Sequence, residues 1–142
     1  MQRDVLHPAT GQISLPAVYN ALSDPVRLLI VARLAEQGEL NCSAFLDYGS
    51  KTVISYHLAR MREAGVTRTR IEGKLYLVSL RKADLEARFP GLLPAVIASA
   101  RSEARSAGGK KAIKARTDRV AKTRAPAKRA VKRKPIAALA SG

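Results

Sequence analysis

Between Ser50 and Gly65 hydrogen-bonding and cationic side chains recur at helical spacing: Lys51, Thr52, Ser55, Tyr56 and Arg60. At about 100° per residue, Ile54, Leu58 and Met61 share one stripe. Thr52, Tyr56, Ala59 and Glu63 fall opposite it, with Ser55 and Arg60 flanking them. Such a helix buries one face and presents an ammonium, hydroxyls, a phenol and a guanidinium on the other. Those groups suit recognition through hydrogen bonds and charge. Further along, Arg68, Arg70 and Lys74 add a second row of cations.

The overall composition points to the ligand that such groups would meet. The 142 residues carry 26 Lys+Arg against 11 Asp+Glu, a formal charge of +15. A chain this basic seeks a polyanion, with nucleic acid the first expectation and an anionic membrane surface a distant second. The charge is segregated: residues 1–98 hold 12 basic and 9 acidic side chains, whereas residues 99–142 hold 14 and 2.

Other chemistries fit less well. A single Cys excludes an intramolecular disulfide and a Cys-rich zinc module, and suggests a reducing compartment. No apolar run approaches the roughly 18–20 residues of a membrane span, and Met1-Gln2-Arg3-Asp4 leads into no signal-peptide core. A soluble, cytoplasmic protein is therefore expected. Cys42, His7 and His57 superficially suggest a thiol nucleophile, but His7 lies in a segment without period and His57 lies on the helix above. Gly108-Gly109-Lys110 has neither the spacing nor the preceding strand of a phosphate-binding loop. The chain is expected not to be an enzyme and to need no cofactor.

The elements that position these residues follow from period and punctuation. Residues 1–12 read as a flexible arm. Leu15, Val18, Tyr19 and Leu22 mark a short helix. Asp24-Pro25 then supplies a cap and a first helical residue for a second helix through Leu34, which Gly38 closes. Residues 41–47 suit a short third helix. After Tyr48-Gly49, Ser50 caps the helix that reaches about Ala64, with Gly65 as its terminator. Period two then appears in residues 66–71 and 75–80, predicting a β-hairpin that turns at Glu72-Gly73-Lys74. A last helical region covers about Lys82 to Ala107, interrupted by Pro90-Gly91 and Pro94. Its Leu92, Leu93, Val96 and Ile97 have no obvious partner within the chain.

Helix, helix, short helix, turn, helix, hairpin, helix is the winged helix-turn-helix plan, a mainly α (α+β) fold with a small β-hairpin. The stretches Ala21-Leu22-Ser23-Asp24-Pro25-Val26-Arg27, Ile54-Ser55-Tyr56-His57-Leu58, Met61-Arg62-Glu63-Ala64-Gly65 and Glu72-Gly73 resemble the ArsR/SmtB family of bacterial transcriptional repressors. The resemblance covers roughly Leu15 to Ile97. It implies a homodimeric repressor that binds double-stranded DNA, with a DNA-binding and dimerisation domain over residues 13–100. Dimerisation would use the first and last helices: Leu15, Val18, Leu22, Leu92, Leu93, Val96 and Ile97.

On that plan Lys51 donates to guanine, Thr52 touches a thymine methyl or a phosphate, Ser55 and Tyr56 complete the base-reading set, and Ala59 allows close approach. Arg60 adds a backbone contact. Arg68, Arg70 and Lys74 lie along the wing, gripping phosphate or protecting a sheet edge. His57 has two readings, a partly buried structural residue or a phosphate contact. Many relatives sense metals through Cys pairs in the short helix or Asp/His/Glu clusters in the last one. Here Cys42 stands alone and the last helix has no His, so no metal site is expected. Cys42 reads as a structural thiol, with a redox sensor as the alternative.

The segment 101–142 lies outside the resemblance and looks like the basic tails of histone-like proteins. Ile113, Val120 and Val131 are isolated among cations, and Pro126 and Pro135 interrupt helices. A disordered tail is expected, with Lys110, Lys111, Lys114, Lys128, Arg129, Lys132, Arg133 and Lys134 attracting DNA without regard to sequence. An architectural nucleoid protein governed by this tail is the alternative function, and an RNA- or protein-binding module a remoter one.

Overall fold

The computed structural model describes residues 5–106. The basic-tail residues from Lys110 to Lys134 lie outside the described residues. Along the chain come α1 (Leu15–Leu22), α2 (Pro25–Gln37), β1 (Leu40–Asn41), a 3-10 helix (Cys42–Tyr48), α3 (Lys51–Glu63), β2 (Thr67–Glu72), β3 (Leu75–Leu80), α4 (Lys82–Arg88) and α5 (Leu92–Arg105). The order is that of a winged helix-turn-helix.

Side-chain caps set the helix starts. Ser14 Oγ accepts from the Ala17 N–H at 3.3 Å, and Ser50 Oγ from the Val53 N–H at 3.4 Å. Asp24 Oδ1 accepts from the N–H groups of Val26 at 2.8 Å and Arg27 at 3.2 Å, with Pro25 at the first helical position. Caps of this kind contribute about 0.5–2 kcal/mol each. Gly65, at φ +82°, ends the α3 region, and a Cβ there would lie 2.6 Å from Ile13 Cγ1. Both its backbone and its neighbour demand glycine.

The hairpin turns at Gly73-Lys74, pairing Thr67 with Leu80 through to Glu72 with Leu75. A third strand joins it. Leu40 pairs with Val78 and Asn41 with Leu77, giving the antiparallel order β1-β3-β2. A strand of this length carries no period, so nothing in the sequence marks it.

The core is built from Val18 and Leu22 of α1, Val26, Leu29, Ile30 and Leu34 of α2, Phe45, the α3 stripe Ile54, Leu58 and Met61, and Val66, Val78, Leu85 and Leu93. Removing each such side chain from water contributes about 1.5–3 kcal/mol. This changes the expectation for the last helix: α5 packs against α2, and Leu93 and Ala100 are buried in the chain's own interior. Val18, Leu22 and Leu93 are 1%, 8% and 4% exposed, so they are core residues unavailable to a second copy. Leu15, Leu92, Val96 and Ile97 stay half-buried. The interruption at Pro90-Gly91 separates α4 from α5, whereas Pro94 lies inside the first turn of α5. The opening N–H groups of a helix have no intrahelical acceptor, so a proline costs nothing there.

The described part of the arm is attached to the domain. The Thr69 N–H donates to His7 Nε2 at 2.9 Å, Arg81 Nη1 to the Pro8 carbonyl at 2.7 Å, and Thr10 Oγ1 to Asp84 Oδ1 at 2.8 Å. Arg88 Nη2 donates to the Ile13 carbonyl at 2.9 Å, and the Ile13 side chain is fully buried. These anchors lie too far along the sequence for any local pattern to reveal them.

Candidate nucleic-acid interface

The apolar stripe of α3 holds the helix against the core, and the opposite side faces solvent. Lys51, Thr52, Ser55, Tyr56 and Arg60 are all exposed, Tyr56 at 43% of its surface. Half-buried Ala59 leaves the centre of this face shallow. The Arg60 guanidinium carbon lies 5.3 Å from the centroid of the Tyr56 ring, and its Nη1 is 3.5 Å from Glu63 Oε2. Tyr56 and Arg60 thus orient one another, which limits the freedom each would lose on meeting a ligand.

His57 lies behind this face. It is 7% exposed, its Nδ1 has no hydrogen-bond partner among the described residues, and Asp24 Oδ1 is 3.9 Å away. Burial lowers its pKa, Asp24 opposes that effect and Arg27 reinforces it, so the ring is neutral near pH 7. Its edge packs against Tyr56 with centroids 5.5 Å apart. Of the two roles open to His57 in the sequence, this environment supports the structural one.

On the wing the three basic residues have different surroundings. Arg68 is exposed, with Nη2 3.8 Å from Asp84 Oδ2, and Lys74 is exposed in the hairpin turn. Arg70 is engaged. Its Nη2 donates to Glu39 Oε1 at 2.7 Å, its Nε to Glu39 Oε2 at 2.9 Å, and its Nη1 to Glu72 Oε2 at 2.8 Å. These bonds raise the Arg70 pKa and lower that of Glu39. A phosphate would have to compete with both carboxylates for Arg70, whereas Lys74 is open.

Arg27 and Asn20 were not singled out by the sequence. Together with Ala17, Ala21, Tyr56, Arg60, Glu63 and Ala64 they line a cleft of about 370 Å³ between α1 and α3. The only signal for Arg27 was its place in the Asp24-Pro25-Val26-Arg27 run, where the cap explained Asp24 and Pro25 and left the arginine without a task.

Cys42 is half-buried against the core, with Sγ 3.6 Å from Asn41 Oδ1. Among the described residues no three His, Cys, Asp or Glu side chains cluster as metal ligands, and no helix is long and apolar enough to cross a membrane.

No family model matches the chain. It is 39% identical over 79 residues to an uncharacterized HTH-type transcriptional regulator of Bacillus subtilis, YceK, a match covering 54% of this chain and 79% of that one. An uncharacterized HTH-type transcriptional regulator of Methanocaldococcus jannaschii is 36% identical over 58 residues, 39% of this chain and 65% of the other. A crystal structure of an ArsR family transcriptional regulator aligns with 71% of this chain and 98% of its own, at 20% identity and a TM-score of 0.48.

Proposed function

The chain belongs to the HTH-type transcriptional regulators, and on that premise we propose that it is a homodimeric repressor whose operator is chosen by Lys51, Thr52, Ser55 and Tyr56. DNA binding is the work of the family, in which a helix of this kind enters the major groove. The observation that carries the proposal is the division of α3, with Ile54, Leu58 and Met61 in the core and the hydrogen-bonding side exposed. Groups at the start of a groove-bound helix meet base edges, and wing cations such as Arg68 and Lys74 meet phosphates. Repression is the mode implied by the resemblance of residues 15–97 to ArsR/SmtB proteins.

A two-fold dimer presents two such helices to half-sites about 34–36 Å apart. The surface proposed for it is narrower than the full apolar set of α1 and α5. It consists of Leu15 and the exposed Tyr19 on α1 with Leu92, Val96 and Ile97 on α5, since Val18, Leu22 and Leu93 serve the core. Release from DNA is proposed not to depend on a metal, because Cys42 has no second thiol for a soft-metal site.

Footprinting on host genomic DNA tests the proposal, with protection of discrete, two-fold symmetric sites as the expected result. Uniform coverage would instead favour an architectural nucleoid protein. The excess of 14 basic over 2 acidic residues in 99–142 is what recommends that second reading.

A further inference from the structure

Arg27 is 9% exposed, yet it takes part in none of the ion pairs formed among the described residues. Among the described residues its Nε is buried without a hydrogen-bond partner, and its Nη2 donates a long 3.4 Å bond to the Asn20 carbonyl. Asp24, the nearest acid in sequence, turns Oδ1 to the backbone N–H groups of Val26 and Arg27. A buried guanidinium without a counter-ion is costly, and the other buried arginine among the described residues obeys the rule: Arg81 has Asp84 at 2.9 Å. The Arg27 side chain lines the cleft between α1 and α3, where a missing anion has room to bind.

We propose that this cleft is a phosphate-binding subsite, in which Arg27 is the buried cation and Asn20 and Arg60 close around the bound group. The proposal rests on the DNA-binding reading for its preferred occupant, a phosphate of the DNA backbone. Tyr56 and Arg60 belong both to the cleft and to the exposed face of α3. The major groove is about 12 Å wide and a helix with its side chains about 10–12 Å across. A helix lying there has its flanks against the backbone walls, and the cleft is on the α1 flank. Glu63, at the cleft rim, is paired with Arg60 at 3.5 Å, and an incoming phosphate replaces it as the partner of Arg60. The contact would fix how α3 is seated while reading no base.

The test uses the full chain and a duplex selected from a random pool. Arg27→Gln is expected to reduce the slope of log K against log salt by about 0.9 for each phosphate no longer held, with the order of preferred sequences unchanged. Replacing one backbone phosphate per half-site by an uncharged methylphosphonate should weaken the parent and leave the variant unaffected. Asn20→Asp provides a second variant that keeps Arg27 in place. Its carboxylate occupies the guanidinium, and it should show the same reduced slope.

A parallel arm measures thermal midpoints in inorganic phosphate against chloride at equal ionic strength. A rise for the parent that both variants lack, with unchanged DNA slopes, assigns the cleft to a free phosphate-bearing ligand. Unchanged slopes together with no phosphate-dependent rise overturn the site altogether. A pool that yields no preferred duplex counts against sequence choice by α3, and the slopes on any bound duplex still judge the cleft.

Discussion

His7 and Thr69, 62 residues apart, are joined by a 2.9 Å hydrogen bond in which the Thr69 backbone N–H donates to His7 Nε2. β2 is an outer strand of the sheet, so an outward N–H there has no neighbouring strand to meet. The imidazole serves as that acceptor, which requires its neutral form. Arg62, Arg68 and Arg81 surround it from α3, β2 and the start of α4.

Acid should therefore loosen the arm from the wing. Burial first, then the Arg68, Arg62 and Arg81 charges, lowers the His7 pKa below its ordinary 6.5, despite an opposing bond to the Val5 carbonyl. The unfolded chain then binds the proton more readily, so this contribution to stability is complete above pH 6.5 and is lost as pH falls through the lowered folded value. His57 shifts in the same direction. Thermal midpoints between pH 5 and 8 should fall toward acid, and His7→Gln, whose amide oxygen accepts without titrating, should flatten part of that fall. A profile identical to the parent's would remove His7 from the explanation.

Base reading and backbone gripping should separate by mutation. Ser55→Ala or Tyr56→Ala is expected to cost about 1–3 kcal/mol on the operator and little on unrelated duplex. Arg68→Ala and Lys74→Ala should weaken both DNAs together. Arg70→Ala should have a smaller effect on binding than Lys74→Ala, since Glu39 and Glu72 already hold its guanidinium. Titrations of each variant against the two duplexes check this.

Core and dimer surface should also separate. Val96→Lys with Ile97→Lys is expected to give a folded monomer in sedimentation, with operator binding abolished because one half-site offers too little to hold. Leu93→Ala should instead lower stability by about 2–5 kcal/mol in chemical denaturation, because Leu93 is buried within the chain. A monomeric parent protein would overturn the dimer proposal.

Gly65→Ala should be destabilising by more than about 1 kcal/mol, because φ is +82° and the new methyl would sit 2.6 Å from Ile13 Cγ1. Ile13→Ala removes the second penalty and leaves the first. A double-mutant cycle should show coupling between the two positions, and additive losses would mean that Ile13 yields freely.

Removing residues 108–142 should retain the choice of operator while making affinity less steeply dependent on salt, by about 0.9 for every phosphate that this segment neutralises in the full chain. Parallel lines for the two proteins would mean that this segment does not touch DNA.

Much of the fold was written in local pattern. Asp24-Pro25 and Ser50 start helices as their chemistry requires, Gly65 and Gly73 sit where positive φ is needed, and the Ile54, Leu58 and Met61 stripe faces the core. Caps, turns and amphipathic faces join near neighbours in sequence, so residue types and spacing suffice to specify them. The exposed side of α3 was legible for the same reason, as the complement of its buried stripe.

What the sequence alone could not determine depends on distant partners. Val18, Leu22 and Leu93 have the same apolar character as any dimer contact, and only the packing of α1 on α2 and α3, and of α5 on α2, makes them core. Arg70 looked as free as Lys74 until the fold brought Glu39 to it across 31 positions, and His7 lay in a segment without period until Thr69 supplied its bond. Arg27 was one cation among many, and its burial without a counter-ion among the described residues arises only where α1, α2 and α3 meet. Burial and pairing are properties of the assembled neighbourhood: residue type sets what a side chain can do, and the tertiary fold decides which partners satisfy it.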